Sequence, residues 1–496
     1  MRLLKSPYFI ILLISVLFLL IFSSGTSPLF FDNYETDSAI FIVIGKALVN
    51  GKSLYVDIFD HKGPILFFIE ALGQLISSGR NGIFFLQVVF LYISLIFSYK
   101  TLILFCNKKT SLISILISIF ILSYFICEGN LSEEFSLLFI SLPLYLCFKW
   151  LKEKDPLENI PKINTFIYGI CFSILAFIKI SNAICLIGMI LGITIILLRN
   201  RKIKELFKHM LIFILGMLVI VAPIFMYFYY KNSLPDMIYA TFIHNFLYMG
   251  SEINFETNNI AIKLGNAFHL ILGLMALFLY FKNEKNISII SIATILLAII
   301  FYSLSYSSYH YYIATIPIFV ITIGMFFNKI EEYKFDKYTR FLITFVIVFL
   351  CICYTTVHLI YNINTLFERE YLKKRIINQL VQEIEDKENI LLYQTPASYY
   401  LYMDTIPEYK YAFLQEFIIR SNPEIKEKIM NDLKNGNIKY IILNNELRIS
   451  PEIIQILENY FTEINQLETD YRIINNSNML KVKSMLTLYK YNEASI

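Results

Sequence analysis

Residues 35–76 read ETDSAIFIVIGKALVNGKSLYVDIFDHKGPILFFIEALGQLI. Two apolar segments in this stretch keep helical spacing, yet neither reaches the roughly 20 residues that a helix needs to cross about 30 Å of hydrocarbon. The first, 36–51, offers Thr36 or Asp37 as a cap and Ile40, Ile44, Ala47 and Leu48 as one apolar face. Lys46 stands near its end, where the helix dipole favours a cation, and Gly51 is the expected terminator. The second, 64–78, opens on Pro64, a residue type preferred at a first helical position. The first is expected to lie along a membrane surface, the second to be interfacial or re-entrant. Between them stands DIFDHKGP (57–64), which places Lys62 just before a helix N-terminus, where free amides and the positive dipole end attract anions. A phosphate site at the membrane surface follows from that arrangement. A plainer reading stays open beside it: Lys62 and His61 anchor a helix to lipid head groups, and Asp57 or Asp60 caps a turn.

Working outward, the composition requires a membrane. Of 496 residues 57% are hydrophobic and 17% charged, and the mean hydropathy is +0.59, more apolar surface than a soluble chain could bury. A net charge of only +4, with no concentrated basic face, argues against nucleic acid as a partner. All seven cysteines lie in or beside apolar segments without metal-ligand or redox spacing, so neither disulfides nor a zinc site are expected.

Apolar runs predict about eleven transmembrane helices, near 6–24, 81–106, 110–127, 133–151, 164–180, 183–198, 209–230, 260–281, 286–303, 310–327 and 339–361. The fifth and sixth form one long run, split at KISN (179–182). Alternate connections carry the cations: MRLLKS, NKK, KWLKEKDPLENIPK, RNRKIKELFK, KNEK and NKIEEYKFDKYTR. The intervening short connections offer only Lys179. The positive-inside bias then puts the N-terminus in the cytoplasm and the C-terminus outside. Residues 25–80, 231–259 and those after about 362 are expected to face outward.

An N-terminal span followed by an aspartate that opens an interfacial helix, then by a lysine before a proline-led helix, resembles the first outer loop of the GT-C membrane glycosyltransferases. The likeness is to their bacterial branch related to protein O-mannosyltransferases and aminoarabinose transferases. It is most specific over residues 35–75 and extends loosely over the whole chain. The resemblance implies transfer of a sugar from a polyprenyl-phosphate donor to a lipid, glycan or protein acceptor, on the outer face of a bacterial cytoplasmic membrane. It implies a catalytic role for Asp37 and a donor-phosphate contact for Lys62. Two departures qualify it: Ser38 stands where many relatives carry an acid, and His61 where the residue before the lysine is often glutamate.

Other residues expected to face outward are further candidates. Tyr55 and Asp60 flank the lysine loop as substrate-binding candidates. Glu133 and Glu134 open the fourth span, where acids in a first helical turn are expected on dipole grounds alone, with Ser132 as cap. Lys179 is either an ionisable group with a function or a snorkelling side chain. His310 lies among tyrosines that an aromatic belt would explain. His244 and Asn245 are expected on a short outer helix. Asp37, Asp57, Asp60 and Glu133 would hold a divalent cation if the fold brought them together; no metal site or cofactor is predicted. No P-loop or dinucleotide glycine motif is present, so the energy for transfer must arrive with the donor.

After the last span, helices over 368–388, 423–437 and 451–464 alternate with strands over 389–394, 438–443 and 484–491, predicting a small extracytoplasmic α/β domain over 362–496 behind a transmembrane domain over 1–361. It is read as a lid, an acceptor-docking surface or a structural cap. Asp37 would act as base, Lys62 and the Gly63–Pro64 helix start would stabilise the departing phosphate with help from His61, and the anomeric centre would invert. Rival readings are a transporter or flippase of lipid-linked saccharides, a polysaccharide polymerase or ligase, and a non-catalytic scaffold.

Overall fold

The computed structural model describes residues 6–30, 36–126, 128–153, 160–251, 260–282, 284–304, 309–332, 338, 371–414, 419, 422–445, 449–475 and 478–492. The chain begins α1 (Pro7–Phe22), α2 (Thr36–Val49), α3 (Pro64–Ile76), α4 (Asn81–Leu102), α5 (Lys108–Phe125), α6 (Ser132–Glu153) and α7 (Lys162–Ile178). A 3-10 turn, Ile180–Ala183, separates α7 from α8 (Ile184–Arg199), so the long apolar run does break at KISN. Then come α9 (Ile203–Tyr230), α10 (Leu234–Ile238), a π-helical turn (Tyr239–Ile243), α11 (His244–Ser251), α12 (Ile260–Phe281), α13 (Lys285–Leu304), a 3-10 segment (Tyr309–Thr315) and α14 (Ile316–Glu332).

Six helical stretches among the described residues are long and apolar enough to cross a membrane: Asn81–Leu102, Lys108–Phe125, Ser132–Glu153, Ile180–Arg199, Ile203–Tyr230 and His310–Ile330. Pro7–Phe22, Lys162–Ile178, Phe268–Phe281 and Lys285–Phe301 are shorter apolar helices at other expected spans. The eleventh expected span, 339–361, lies outside the described residues. The chain is a multi-pass helical membrane protein, and α9 shows the lipid solvent plainly: Leu211, Leu215, Leu218 and Met226 are all about half exposed.

The described chain divides into two compact units. The first comprises residues 1–27, 84–227 and 261–364. Its core is built from α1, α4 to α8 and α12 to α14, with Leu19, Leu102, Phe148, Met189 and Phe319 fully or almost fully buried. Close helix approach comes from small residues: a Cβ at Gly192 of α8 would stand 2.7 Å from the Ile290 Cα of α13, and one at Gly188 would overlap Thr294. Four residues apart, the two glycines let α8 and α13 pack nearly backbone to backbone.

The second unit comprises residues 28–83, 228–260 and 365–496, which are the three polar regions of the sequence. Its C-terminal part contains α15 (Tyr371–Leu380), β1 (Ile390–Tyr393), α16 (Ser398–Tyr402), β2 (Phe413–Leu414), α17 (Pro423–Lys434), β3 (Tyr440–Asn444), α18 (Pro451–Tyr460), β4 (Phe461–Asn475) and β5 (Asn478–Tyr491). The strands form one sheet in the order β2-β1-β3-β5-β4, with β1 parallel to β2 and β3, and β5 antiparallel to β3 and β4. One expectation is corrected here. The helix drawn over 451–464 ends at Tyr460, and Phe461 turns extended to start β4, where Thr462 pairs with Lys490 and a bulge between Glu463 and Asn465 leaves Ile464 half exposed.

Candidate functional site

The site of interest lies in the second unit and is built on the pair α2 and α3. Helix α2 ends in two bonds that wrap its last carbonyls: Gly51 N–H donates to Leu48 O at 3.0 Å and Lys52 N–H to Ala47 O at 3.0 Å, with Gly51 at φ +90°. Only a residue tolerant of the left-handed region closes a helix this way. Asp37 lies in the first turn of α2 and is half-buried. The two helices touch where α2 has no side chain, since a Cβ on Gly45 would stand 2.9 Å from the carbonyl carbon and the Cβ of Glu70. Glu70 is fully buried on the face of α3 that also carries Phe67, Gly73 and Gln74.

The connecting loop is shaped by its own polar side chains. Asp57 Oδ2 accepts the Ser53 N–H at 2.7 Å, so the turn-capping reading of Asp57 describes what it does here. Tyr55, at φ +67°, is fully buried; its ring packs on Phe67 and Phe228, and its hydroxyl donates to Lys62 O at 2.7 Å. Burial pushes this phenol well above its usual range, so it stays protonated and a donor.

Asp60 has two tasks. Its Oδ1 accepts the Lys62 N–H at 2.9 Å, and its Oδ2 stands 3.7 Å from Lys62 Nζ. Both side chains are less than a tenth exposed, and the ammonium also lies 5.3 Å from the centre of the Phe41 ring of α2. Gly63 caps α3 with extended backbone and Pro64 is its first helical residue, as the sequence predicts. Lys62 is therefore presented at the N-terminal end of α3 with a carboxylate beside it. His61 is about one-fifth exposed, its Nδ1 lying 4.0 Å from Asp60 Oδ1.

Segment 236–245 closes over this loop. Asn245 Nδ2 donates to the His61 carbonyl at 2.8 Å and to Thr241 O at 2.9 Å, so α11 is keyed to the backbone that carries the lysine. His244 is buried, its ring 5.8 Å from that of His61 and edge-on to Phe59 at 5.6 Å. Burial pulls the His244 imidazole below its usual range; Asp60 opposes that shift and Lys62 adds to it. The C-terminal part of the same unit holds the loop from another direction. Phe59 N–H donates to Lys410 O at 2.9 Å, Lys410 pairs with Asp236 at 3.0 Å, Asn422 donates to Tyr239 Oη at 2.6 Å, and Lys46 pairs with Asp404 at 3.3 Å.

A second polar cluster belongs to the first unit. Lys179 Nζ lies 2.9 Å from Glu133 Oε1 and 3.7 Å from the centre of the Tyr311 ring. Asn182 donates to Ser136 Oγ at 2.8 Å, and His310 lies ring to ring with Tyr311 at 4.8 Å. The expected cap of α6 is corrected: Ser132 donates to Glu133 at 3.1 Å, while Glu134 reaches back to accept the Leu131 N–H at 2.9 Å. Glu134 also accepts from Gln87 at 2.9 Å, and Gln87 meets Ser23 and Thr26. The structure thus joins Asp60, His61, Lys62, Tyr55 and His244 in one place, and Glu133, Glu134, Lys179 and His310 in another. Sequence reasoning missed Glu70, Gln87, Thr241 and Lys410. A lone polar side chain inside an apolar helix was the available signal for the first two.

Among the described residues no three His, Cys, Asp or Glu side chains converge to hold a metal ion. Cys106, Cys147, Cys171 and Cys185 are free and buried, and Cys127, Cys351 and Cys353 lie outside the described residues.

Residues 1–340 match the model of a protein family described as "Putative competence-induced protein Ccs4 N-terminal domain". No curated protein matches the sequence. Among solved structures, the chain is similar to apo ArnT from Cupriavidus metallidurans, at 12% identity and a TM-score of 0.61, over 96% of this chain and 97% of that one. It is similar to the same ArnT bound to undecaprenyl phosphate, at 11% identity and a TM-score of 0.57, over 97% and 98%. An Archaeoglobus fulgidus oligosaccharyltransferase in complex with Zn and sulfate matches at 10% identity and a TM-score of 0.51, over 96% of this chain and 73% of that one. ArnT is an aminoarabinose transferase, and both neighbours are GT-C enzymes. At such identities the likeness is one of fold, and the fold is GT-C-like.

Proposed function

The chain belongs to the competence-induced Ccs4 family through its N-terminal domain, and we propose that it is a GT-C glycosyltransferase that moves a sugar from a polyprenyl-phosphate carrier to an acceptor hydroxyl. The observation that carries this reading is Lys62, held at the N-terminal end of α3 in a chain whose fold resembles, along its whole length, an ArnT that binds undecaprenyl phosphate. The reaction takes place at the extracytoplasmic face of a bacterial cytoplasmic membrane, the side on which the cation-poor connections are expected.

In this mechanism the acceptor oxygen attacks the anomeric carbon from the side opposite the phosphate. The bond from that carbon to the phosphate oxygen breaks, its electron pair stays on the phosphate, and the acceptor proton passes to Asp37. The anomeric centre inverts. Lys62 and the free amides of the first turn of α3 offset the charge that grows on the leaving phosphate, with His61 beside them. Tyr55 and Asn245 act as positioning residues through the Lys62 and His61 carbonyls. The C-terminal α/β part of the same unit, extracytoplasmic in this reading, braces the lysine loop through Lys410.

Native mass spectrometry of the purified protein with undecaprenyl phosphate tests the reading. Wild type and Asp37→Asn are expected to retain the lipid, and Lys62→Ala to lose it by at least about tenfold in affinity. Equal retention by all three overturns it.

A further inference from the structure

The carboxylate of Asp60 stands where a phosphate bound by Lys62 would feel it most. It is 3.7 Å from the Lys62 ammonium, lies within 4.0 Å of His61 and accepts the Lys62 N–H at 2.9 Å, just outside the N-terminus of α3. Both members of the pair are nearly buried, so little water screens the carboxylate from a ligand placed beside the lysine. A lysine at a helix N-terminus needs no such neighbour merely to attract an anion. Asp60 takes back much of the attraction that Lys62 provides and leaves the pair near neutral.

The chemistry of transfer makes that cancellation useful. The donor is a phosphodiester with one negative charge. When the bond from the anomeric carbon to oxygen breaks, the departing lipid keeps the electron pair and becomes a phosphomonoester. Its second ionisation lies near pH 6, so at neutral pH it carries close to two charges. We propose that Asp60 sets the charge preference of the Lys62 site, so that it holds the monoanionic donor and releases the dianionic lipid phosphate. This rests on the glycosyltransferase reading and deepens it, because it gives the site a preference between two lipids that differ by one charge. Other titratable or charged groups on the elements packed around Lys62 are Tyr55 and His61 on the loop, Asp37 in the first turn of α2, Glu70 on α3, His244 on α11 and Lys410 with Asp236. All of them act on either lipid at a given pH, so the ratio of the two affinities isolates the charge of the ligand.

The experiment measures binding of two probes to the full-length protein in detergent by native mass spectrometry. They are undecaprenyl phosphate and its methyl phosphodiester, between pH 5 and pH 8. Wild type is expected to prefer the diester by about tenfold at pH 8, and the preference should shrink toward one at pH 5, where the monoester carries a single charge. Asp60→Asn keeps an oxygen for the Lys62 amide and removes the charge. Its preference at pH 8 should fall to parity or reverse, whereas Asp60→Glu should restore part of it. A wild-type ratio that does not change with pH overturns the inference without needing any variant. So does an unchanged ratio in Asp60→Asn while Lys62→Ala loses both lipids, an outcome that leaves the phosphate site standing. Unchanged binding of both lipids in Lys62→Ala removes the phosphate site, and this inference falls with it.

Discussion

The hydroxyl of Tyr55 donates to the main-chain carbonyl of Lys62, seven positions later in the chain, at 2.7 Å. The ring that supplies this hydroxyl is fully buried against Phe67 and Phe228, so the lysine backbone is fixed to the packed interior of its unit. Tyr55→Phe retains the packing and leaves that carbonyl without its buried donor. A stability loss of about 1–2 kcal/mol is expected, together with a several-fold weaker affinity for undecaprenyl phosphate. Thermal shift and lipid binding, measured on the same preparation, check both; full affinity in the variant would exclude a positioning role.

Helices α2 and α3 approach at Gly45, where an added Cβ would meet the Glu70 backbone at 2.9 Å. Gly45→Val is expected to destabilise the protein by about 1–3 kcal/mol through overpacking. If the chain transfers a sugar as proposed, the variant should also depress transfer more than the stability loss explains, because α2 carries Asp37 and α3 begins two residues after Lys62. Comparing residual activity well below the melting temperature with that of Gly188→Ala, which strains helix packing in the other unit, separates the local effect from a general one.

The Glu133–Lys179 pair is closed at 2.9 Å, with Glu133 almost fully buried. Removing one partner strands a charge. Lys179→Ala is expected to cost about 3–5 kcal/mol, and the double change Lys179→Met with Glu133→Gln should recover most of it. Melting temperatures of the single and double variants decide the matter: an additive double variant would mean that the two side chains do not depend on one another.

Buried His244 binds its proton more weakly in the folded protein than in the unfolded chain, mainly through burial. Its contribution to stability is complete above the unfolded value of about 6.5 and is lost as the pH falls from there through the lowered folded value. The melting temperature of wild type is therefore expected to drop between pH 7 and pH 5, and His244→Gln should flatten that drop. An identical pH profile for the two proteins would rule out His244 as its source.

Much of the membrane fold was legible because apolar runs are signals that survive without knowledge of tertiary contacts. The loop was legible for a local reason: Lys62 precedes Gly63 and Pro64, and such a sequence starts a helix almost regardless of context. What the sequence concealed depends on distance in space. Asp60 reads from the sequence as a turn cap or a substrate-binding candidate, and only the fold shows it beside the Lys62 ammonium while it accepts the Lys62 N–H. Gln87 is one amide in an apolar span, and nothing nearby announces Glu134 forty-seven residues later. At 451–464 the apolar spacing suits a helix to its last residue, and only pairing with β5 reveals that Phe461 already belongs to the sheet.

The π-helical turn over Tyr239–Ile243 has a consequence for how this segment tolerates length change. Such a turn holds one residue more than an α-helix would, and each residue advances a helix by about 100°. Deleting one residue there and rewinding the turn as α-helix would leave the phase of Asn245 almost unchanged, whereas adding one would swing it by roughly that angle, away from the His61 carbonyl it now meets at 2.8 Å. The phase of one short helix therefore decides whether the backbone behind Lys62 is held, and at this place a deletion should be tolerated far better than an insertion.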